Sequence, residues 1–144
     1  MRSYSERTIF KIKKAVVYWS GTGNTEAMAK AVAEAAGAEL FTASEFSGAK
    51  ADEFDSIAFG CPAMGAEALE ETEFEPMFEG VKGHLAGKKV ALFGSYGWGD
   101  GDWMQIWEDD CRAAGVNLVH ESVICNGEPD GQALAKCKAL GAAL

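Results

Sequence analysis

The sequence predicts an α/β fold: a doubly wound, five-stranded parallel sheet in the order 2-1-3-4-5, with helices on both faces. Three observations lead there. Short apolar, β-type runs alternate with helical patterns five times along the chain, the pattern of a parallel sheet covered on both sides. At 144 residues the chain is long enough for one domain with a full core. Right-handed crossovers then leave few topologies, and five strands suit the order 2-1-3-4-5.

Residues 1–13 are polar and basic and match nothing downstream, so they are expected to form a disordered extension ahead of one domain over 14–144. Lys14–Trp19 reads as strand 1 because of its apolar, β-branched and aromatic run. Ser20-Gly21-Thr22-Gly23-Asn24-Thr25 follows, and a helix over Thr25–Ala36 puts Met28, Ala31, Val32 and Ala35 on one face before Gly37 ends it. Glu39–Ala43 is a short strand 2, and 44–54 is loop-like with room for one helical turn. Ser56–Gly60 is strand 3. A loop over Cys61–Ala68 leads to a helix over Glu70–Leu85, in which Pro76 demands a bend or a new start. Lys88–Gly94 is strand 4, followed by the Gly-rich loop Ser95–Gly101. A helix over Asp102–Ala114 has Asp102 as its expected N-cap. Asn117–Cys125 is strand 5, and Asp130–Ala143 the last helix.

Composition narrows the function. Net charge is −9, and beyond the five bases and one acid of residues 1–14 the remainder carries −13. Such a body repels nucleic acid and anionic membranes and is steered toward basic protein surfaces. No apolar run reaches membrane-spanning length and no secretory h-region is seen, so a cytoplasmic monomer is expected. Cys61, Cys111, Cys125 and Cys137 form no C-x-x-C pair, and His84 and His120 stand apart. The cysteines are read as reduced, buried small hydrophobes, and no metal site is expected.

The chemistry lies in three loops. Each follows a strand (1, 3 and 4), so all three share the carboxyl edge of the sheet around its switch point, where such folds bind ligands. In the first, Gly21 and Gly23 allow close backbone approach to an anion, Ser20, Thr22 and Thr25 add hydroxyls, and the helix start at Asn24 adds unpaired N–H groups. The loop has no Lys or Arg and matches neither G-x-x-x-x-G-K-[ST] nor G-x-G-x-x-G. It suits a single phosphate held by neutral donors. The second loop is Cys61-Pro62-Ala63-Met64-Gly65-Ala66-Glu67. The third is Ser95-Tyr96-Gly97-Trp98-Gly99-Asp100-Gly101, where an exposed Trp between glycines invites a flat ligand.

These residues carry a resemblance. V-Y-W-S-G-T-G-N-T-E-A-M at 17–28, G-C-P-A-M-G-x-E at 60–67 and L-F-G-S-Y-G-W-G-D-G at 92–101 resemble the phosphate loop and two flavin loops of short-chain flavodoxins of the anaerobic bacterial type, from about Lys14 to the end. The resemblance implies a flavodoxin-like fold and non-covalent FMN. Ser20, Thr22, Asn24 and Thr25, with Gly21 and Gly23, would hold the phosphate. Trp98 would stack on one face of the ring, with Met64 on the other. Glu67 would accept from the flavin N3–H, and the N–H groups of Gly97 and Gly99 would point at N1 and O2. Ser95 and Ala63 would line the ribityl chain, and Tyr96 beside Ser95 would also contact the cofactor. Gly65 would turn its carbonyl toward N5 on reduction, forcing Ala66 toward positive φ.

The chain departs from the family in three places. It is shorter before strand 3. It has Ala66 where Asp, Asn, Gly or Ser is expected. It also has one extra residue in Asn126-Gly127-Glu128-Pro129, which leaves Asn126 outside the expected contacts.

The implied function is that of an electron carrier, not an enzyme. It would move single electrons at low potential between redox partner proteins with basic docking surfaces. The alternative of the same fold, an FMN-dependent NAD(P)H or quinone reductase, needs an open flavin face, and Trp98 and Met64 are expected to cover both. A flavin-free signalling domain would have little use for Trp98 between glycines.

Overall fold

Residues 12–144 are described by the computed structural model; the expected extension falls, for residues 1–11, outside the described residues. The strands are β1 (Lys14–Tyr18), β2 (Glu39–Thr42), β3 (Ser56–Gly60), β4 (Lys89–Tyr96), β5 (Asn117–Leu118) and β6 (Val123–Asn126). The helices are α1 (Asn24–Ala36), the single turn α2 (Gly48–Ala51), α3 (Phe74–Lys82), α4 (Asp102–Ala113) and α5 (Gly131–Ala142). Every strand pair is parallel, and the order β2-β1-β3-β4-β5, with β6 also on β4, is the predicted one. Lys13 already joins this frame: its N–H reaches Asp55 Oδ2 at 2.9 Å, and its carbonyl accepts from Asp55 N–H at 2.8 Å.

Alternation along each central strand sorts side chains into two cores. Val17, Ile57, Phe59 and Leu92 pack with Phe74, Phe78, Trp103 and Trp107 of α3 and α4. Val16, Ala58, Ala91 and Phe93 pack with Met28 and Val32 of α1 and Cys137 and Leu140 of α5. α1 and α5 approach closely, because a Cβ on Gly141 would fall 2.5 Å from the Val32 carbonyl oxygen. Cys61, Cys111 and Cys137 are buried thiols, each pushed up to about 12 chiefly by burial, and Cys125 is half-buried. They behave as the small hydrophobes expected of them.

Besides one-residue shifts at other element ends, five differences from expectation have a local reason. Strand 2 stops at Thr42, where Ala43–Glu45 forms a 3-10 turn and Thr42 N–H donates to Glu45 Oε1 at 2.8 Å. Strand 4 runs on to Tyr96, because β6 pairs with it from Phe93 to Tyr96. The single strand expected over Asn117–Cys125 is broken. Leu118 to Val123 takes five steps opposite the three from Val90 to Phe93, and the polar His120-Glu121-Ser122 leaves a sheet covered on both faces. Asp102 is not an N-cap but the first helical residue of α4; Gly101 caps it at φ 85°.

The fifth difference concerns Glu70. The helix expected over Glu70–Leu85 begins only at Phe74, which places Pro76 in its first turn, where no intrahelical N–H bond is lost. Glu70 instead folds back as a cap. Its Oε1 accepts from Glu73 N–H at 2.7 Å and Phe74 N–H at 2.9 Å, and its Oε2 accepts from Thr72 N–H at 2.9 Å and from the Thr72 hydroxyl. Burial alone would raise the pKa of this side chain, which is 4% exposed. Hydrogen bonds from Thr72, Phe74 and Glu73 outweigh that and hold it down to about 2.

A carboxylate held below its unfolded value stabilises the fold above about pH 4.5, and the contribution is lost as pH falls toward 2. Acid titration of unfolding free energy should therefore lose up to about 3 kcal/mol over that range through this group. In Glu70→Gln the acid limb should be shallower; an unchanged limb would show that Glu70 is not the group responsible.

Candidate functional site

Three loops leave the carboxyl ends of β1, β3 and β4 and meet where β1 and β3 lie side by side. The sheet extends into them. Trp19 N–H donates to Gly60 O at 3.0 Å, Cys61 N–H to Phe93 O at 3.1 Å and Ala63 N–H to Ser95 O at 3.0 Å. The second and third loops are therefore an extension of the β3–β4 ladder before they diverge.

The first loop wraps the start of α1. Ser20 Oγ accepts from Gly23 N–H at 3.1 Å and Glu26 N–H at 3.2 Å. Gly23 holds φ 98°, which only glycine adopts without strain, and its carbonyl accepts from Ala27 N–H at 3.0 Å. The N–H groups of Gly21, Thr22 and Thr25 have no hydrogen-bond partner among the described residues. Thr25 is buried. Its Oγ1 lies 2.9 Å from Ser95 Oγ and accepts from Ser95 N–H at 3.3 Å, so the head of α1 is bonded to the end of β4.

In the second loop Glu67 N–H closes a turn on Met64 O at 2.9 Å, with Gly65 and Ala66 at its centre. Neither of those two has positive φ; Glu67 does, at 53°. Its carboxylate then caps α4, Oε2 accepting from Trp103 N–H at 2.6 Å. Gly99 lies against this group, where a Cβ would collide with Glu67 Oε1. At the base of the loop Trp103 Nε1–H donates to Cys61 O at 3.2 Å. Glu70, close to these loops in sequence, spends its carboxylate on the start of α3, while its N–H donates to Cys61 Sγ at 3.4 Å at the base of the second loop.

Between the loops lies a cleft of about 250 Å³. It brings together Ser20, Gly21, Thr22, Asn24, Thr25, Ala63, Met64, Ser95, Tyr96 and Gly97 of the sequence-derived set. It does not include Gly23, Gly65, Ala66, Glu67, Trp98 or Gly99 in its lining. Gly65 and Ala66 line an adjoining cavity that shares Met64. Trp98, the expected stacking residue, stands 92% exposed at the rim, since Gly97 and Gly99 offer it no side chain to pack on. Trp19, Pro62 and Gly127 also line the cleft, beyond the residues that the sequence pattern singles out. Signals for them exist in the sequence: Trp19 directly precedes the first loop, and Pro62 stands inside the second. Gly127 is the extra residue of 126–129; it sits at φ 73° and donates to Tyr96 O at 2.8 Å.

No lining residue carries a formal charge. Its lining combines the unpaired N–H groups and hydroxyls of the first loop with the Met64 thioether and the apolar side chains of Trp19, Pro62 and Ala63. That donor set fits a phosphate monoester joined to a flat apolar body. Both glycines of the first loop suit close approach of an anion, with Gly21 and Gly23 exposed.

The sequence profile of the family described as Flavodoxin matches residues 16–141. A flavodoxin of Megasphaera elsdenii is 45% identical over 134 residues, covering 89% of this chain and 95% of that protein. A flavodoxin of Clostridium beijerinckii is 47% identical over 121 residues, covering 80% and 87%. The solution structure of two-electron reduced Megasphaera elsdenii flavodoxin superposes with a TM-score of 0.82 at 41% identity, covering 90% of this chain and 96% of that one. With fold, loops and sequence in agreement, the chain belongs to the flavodoxin family, electron carriers that bind FMN.

Proposed function

We propose that the cleft between residues 20–25, 61–67 and 95–101 holds FMN, and that the protein shuttles single electrons at low potential between basic redox partners as a cytoplasmic monomer. The observation carrying this reading is a charge-free cleft that ends in the unpaired N–H groups of Gly21, Thr22 and Thr25. Ser20, Thr22 and Asn24 complete the phosphate cradle around Gly21 and Gly23. Thr25 contributes its N–H, its hydroxyl being bonded to Ser95. Ala63, Ser95 and Tyr96 border the ribityl chain, and Gly97 and Gly99 offer N–H groups at the pyrimidine edge of the ring. Glu67 Oε1 is the acceptor left for a ring N–H once Trp103 has taken Oε2. Met64 and Trp98 flank the ring faces, and Gly65-Ala66 forms the turn beside it.

Bound FMN supplies one-electron chemistry in either direction. The residues around it set how readily it accepts charge. Glu67, Glu71, Asp100 and Asp102 surround a site whose three loops contain no Lys or Arg, so added negative charge is unfavourable there and the potential is low. Of these acids Glu71, Asp100 and Asp102 are exposed and would attract a basic partner.

Three outcomes test this. FMN added to the protein should lose its fluorescence at one-to-one stoichiometry; flavin fluorescence left unquenched would remove the assignment. Electron transfer to a basic redox protein should slow steeply as salt is raised from about 10 to 150 mM, where screening shortens the Debye length to about 8 Å; a salt-independent rate would argue against acidic docking. Turning the Gly65 carbonyl would force Ala66 to positive φ, at a cost of about 1 kcal/mol that glycine avoids. Ala66→Gly should therefore raise the first-electron potential by tens of millivolts, on a scale of about 59 mV per 1.4 kcal/mol; an equal or lower potential in a redox titration would refute the flip.

A further inference from the structure

We infer that Glu73 is a positioning residue for the phosphate loop, acting through the indole of Trp19. The inference rests on the reading that the cleft holds FMN. Trp19 is the first residue beyond β1, and its backbone is registered on the sheet through Gly60 O. With Ser20, it lines two neighbouring cavities. One is the cleft; the other, of about 250 Å³, is lined by Tyr18, Ser20, Glu26, Thr42, Ser44 and Glu73 among others. The loop packs on the Trp19 indole: a Cβ on Gly21 would come within 3.2 Å of Trp19 Cη2 and 3.3 Å of Cζ3. Where the indole lies therefore fixes where Gly21 and its unpaired N–H lie.

One polar bond orients the indole. Trp19 Nε1–H donates to Glu73 Oε1 at 3.0 Å, across 54 residues of chain. Glu73 stands at the N-terminal boundary of α3, yet its side chain makes no capping bond to that helix; Glu70 supplies the cap. The Glu73 carboxylate thus holds Trp19 rather than its own helix. It does so against electrostatics, since a carboxylate beside a phosphate-binding loop repels the anion. Geometry and charge therefore have opposite signs at this residue, and substitution separates them. Glu73→Gln removes the charge and keeps an acceptor. Glu73→Ala removes both. Trp19→Phe removes the donor and keeps a ring.

The experiment measures FMN and riboflavin affinities by flavin fluorescence, with thermal melts to confirm folding. Riboflavin lacks the phosphate, so loop positioning should not affect it. Glu73→Ala and Trp19→Phe should each weaken FMN about fivefold, the effect of one ordinary hydrogen bond. Glu73→Ala should leave riboflavin unchanged, and Glu73→Gln should bind FMN at least as tightly as the parent. Adding Glu73→Ala to Trp19→Phe should cost nothing further, because the two act through one bond. Glu73→Ala binding FMN as tightly as Glu73→Gln, or losing FMN and riboflavin in parallel, would overturn the inference. Wild-type protein that binds neither flavin would overturn the site itself, and this inference with it.

Discussion

A buried hydroxyl pair, Thr25 Oγ1 against Ser95 Oγ, is the contact on which the site depends. Thr25 lies in the first turn of α1 and Ser95 near the end of β4, so this bond ties the first loop to the third across the cleft floor. Both groups are out of water, and a buried hydroxyl left without its partner is costly, so each enforces the position of the other. With this point fixed, the head of α1 cannot drift from the sheet, and its free N–H groups stay directed at one place. The β3–β4 ladder, extended through Cys61 and Ala63, brings the second loop to the same edge.

Around this anchor the protein separates charge from contact. The cleft wall is uncharged, while Glu67, Glu71, Asp100 and Asp102 stand in or next to the second and third loops. A phosphate can then be held by neutral donors and the helix start alone. Acids in and beside the loops meanwhile weigh against further negative charge near the cleft. A cation in the loops would strengthen phosphate binding but raise the potential, and the sequence has none there.

Two of the acids in this region are used structurally. Glu67 caps α4 through Trp103 N–H, and Glu70 caps α3 through Glu73 and Phe74 N–H. Each satisfies backbone donors that would otherwise be unpaired at a helix start. The second loop is thereby stapled to both helices on its face of the sheet. This explains why Glu67 tolerates φ 53°: the strain of a left-handed glutamate is offset by a charge-assisted bond at 2.6 Å.

Strand order, the number of crossovers and the meeting of three loops at one sheet edge were legible in the sequence, because they follow from local patterns. An apolar run such as Ala15–Trp19 favours burial in a sheet, Gly21 and Gly23 mark the loop, and motifs that follow parallel strands must share an edge. That residues 20–25 form a tight loop leading into a helix was legible too, from their run of Gly, Ser and Thr after an apolar strand. Only the tertiary structure decided which residues meet from afar. The Glu70 carboxylate could have faced solvent or ligand; burial against α3 turned it inward. The polar triplet His120-Glu121-Ser122 broke a strand whose apolar ends looked continuous, because sheet burial is set by helices elsewhere in the chain. Trp19, which lines the cleft, is bonded to Glu73, 54 residues away, and Thr25 to Ser95, 70 residues away. Such pairings depend on packing between elements, which no local pattern encodes.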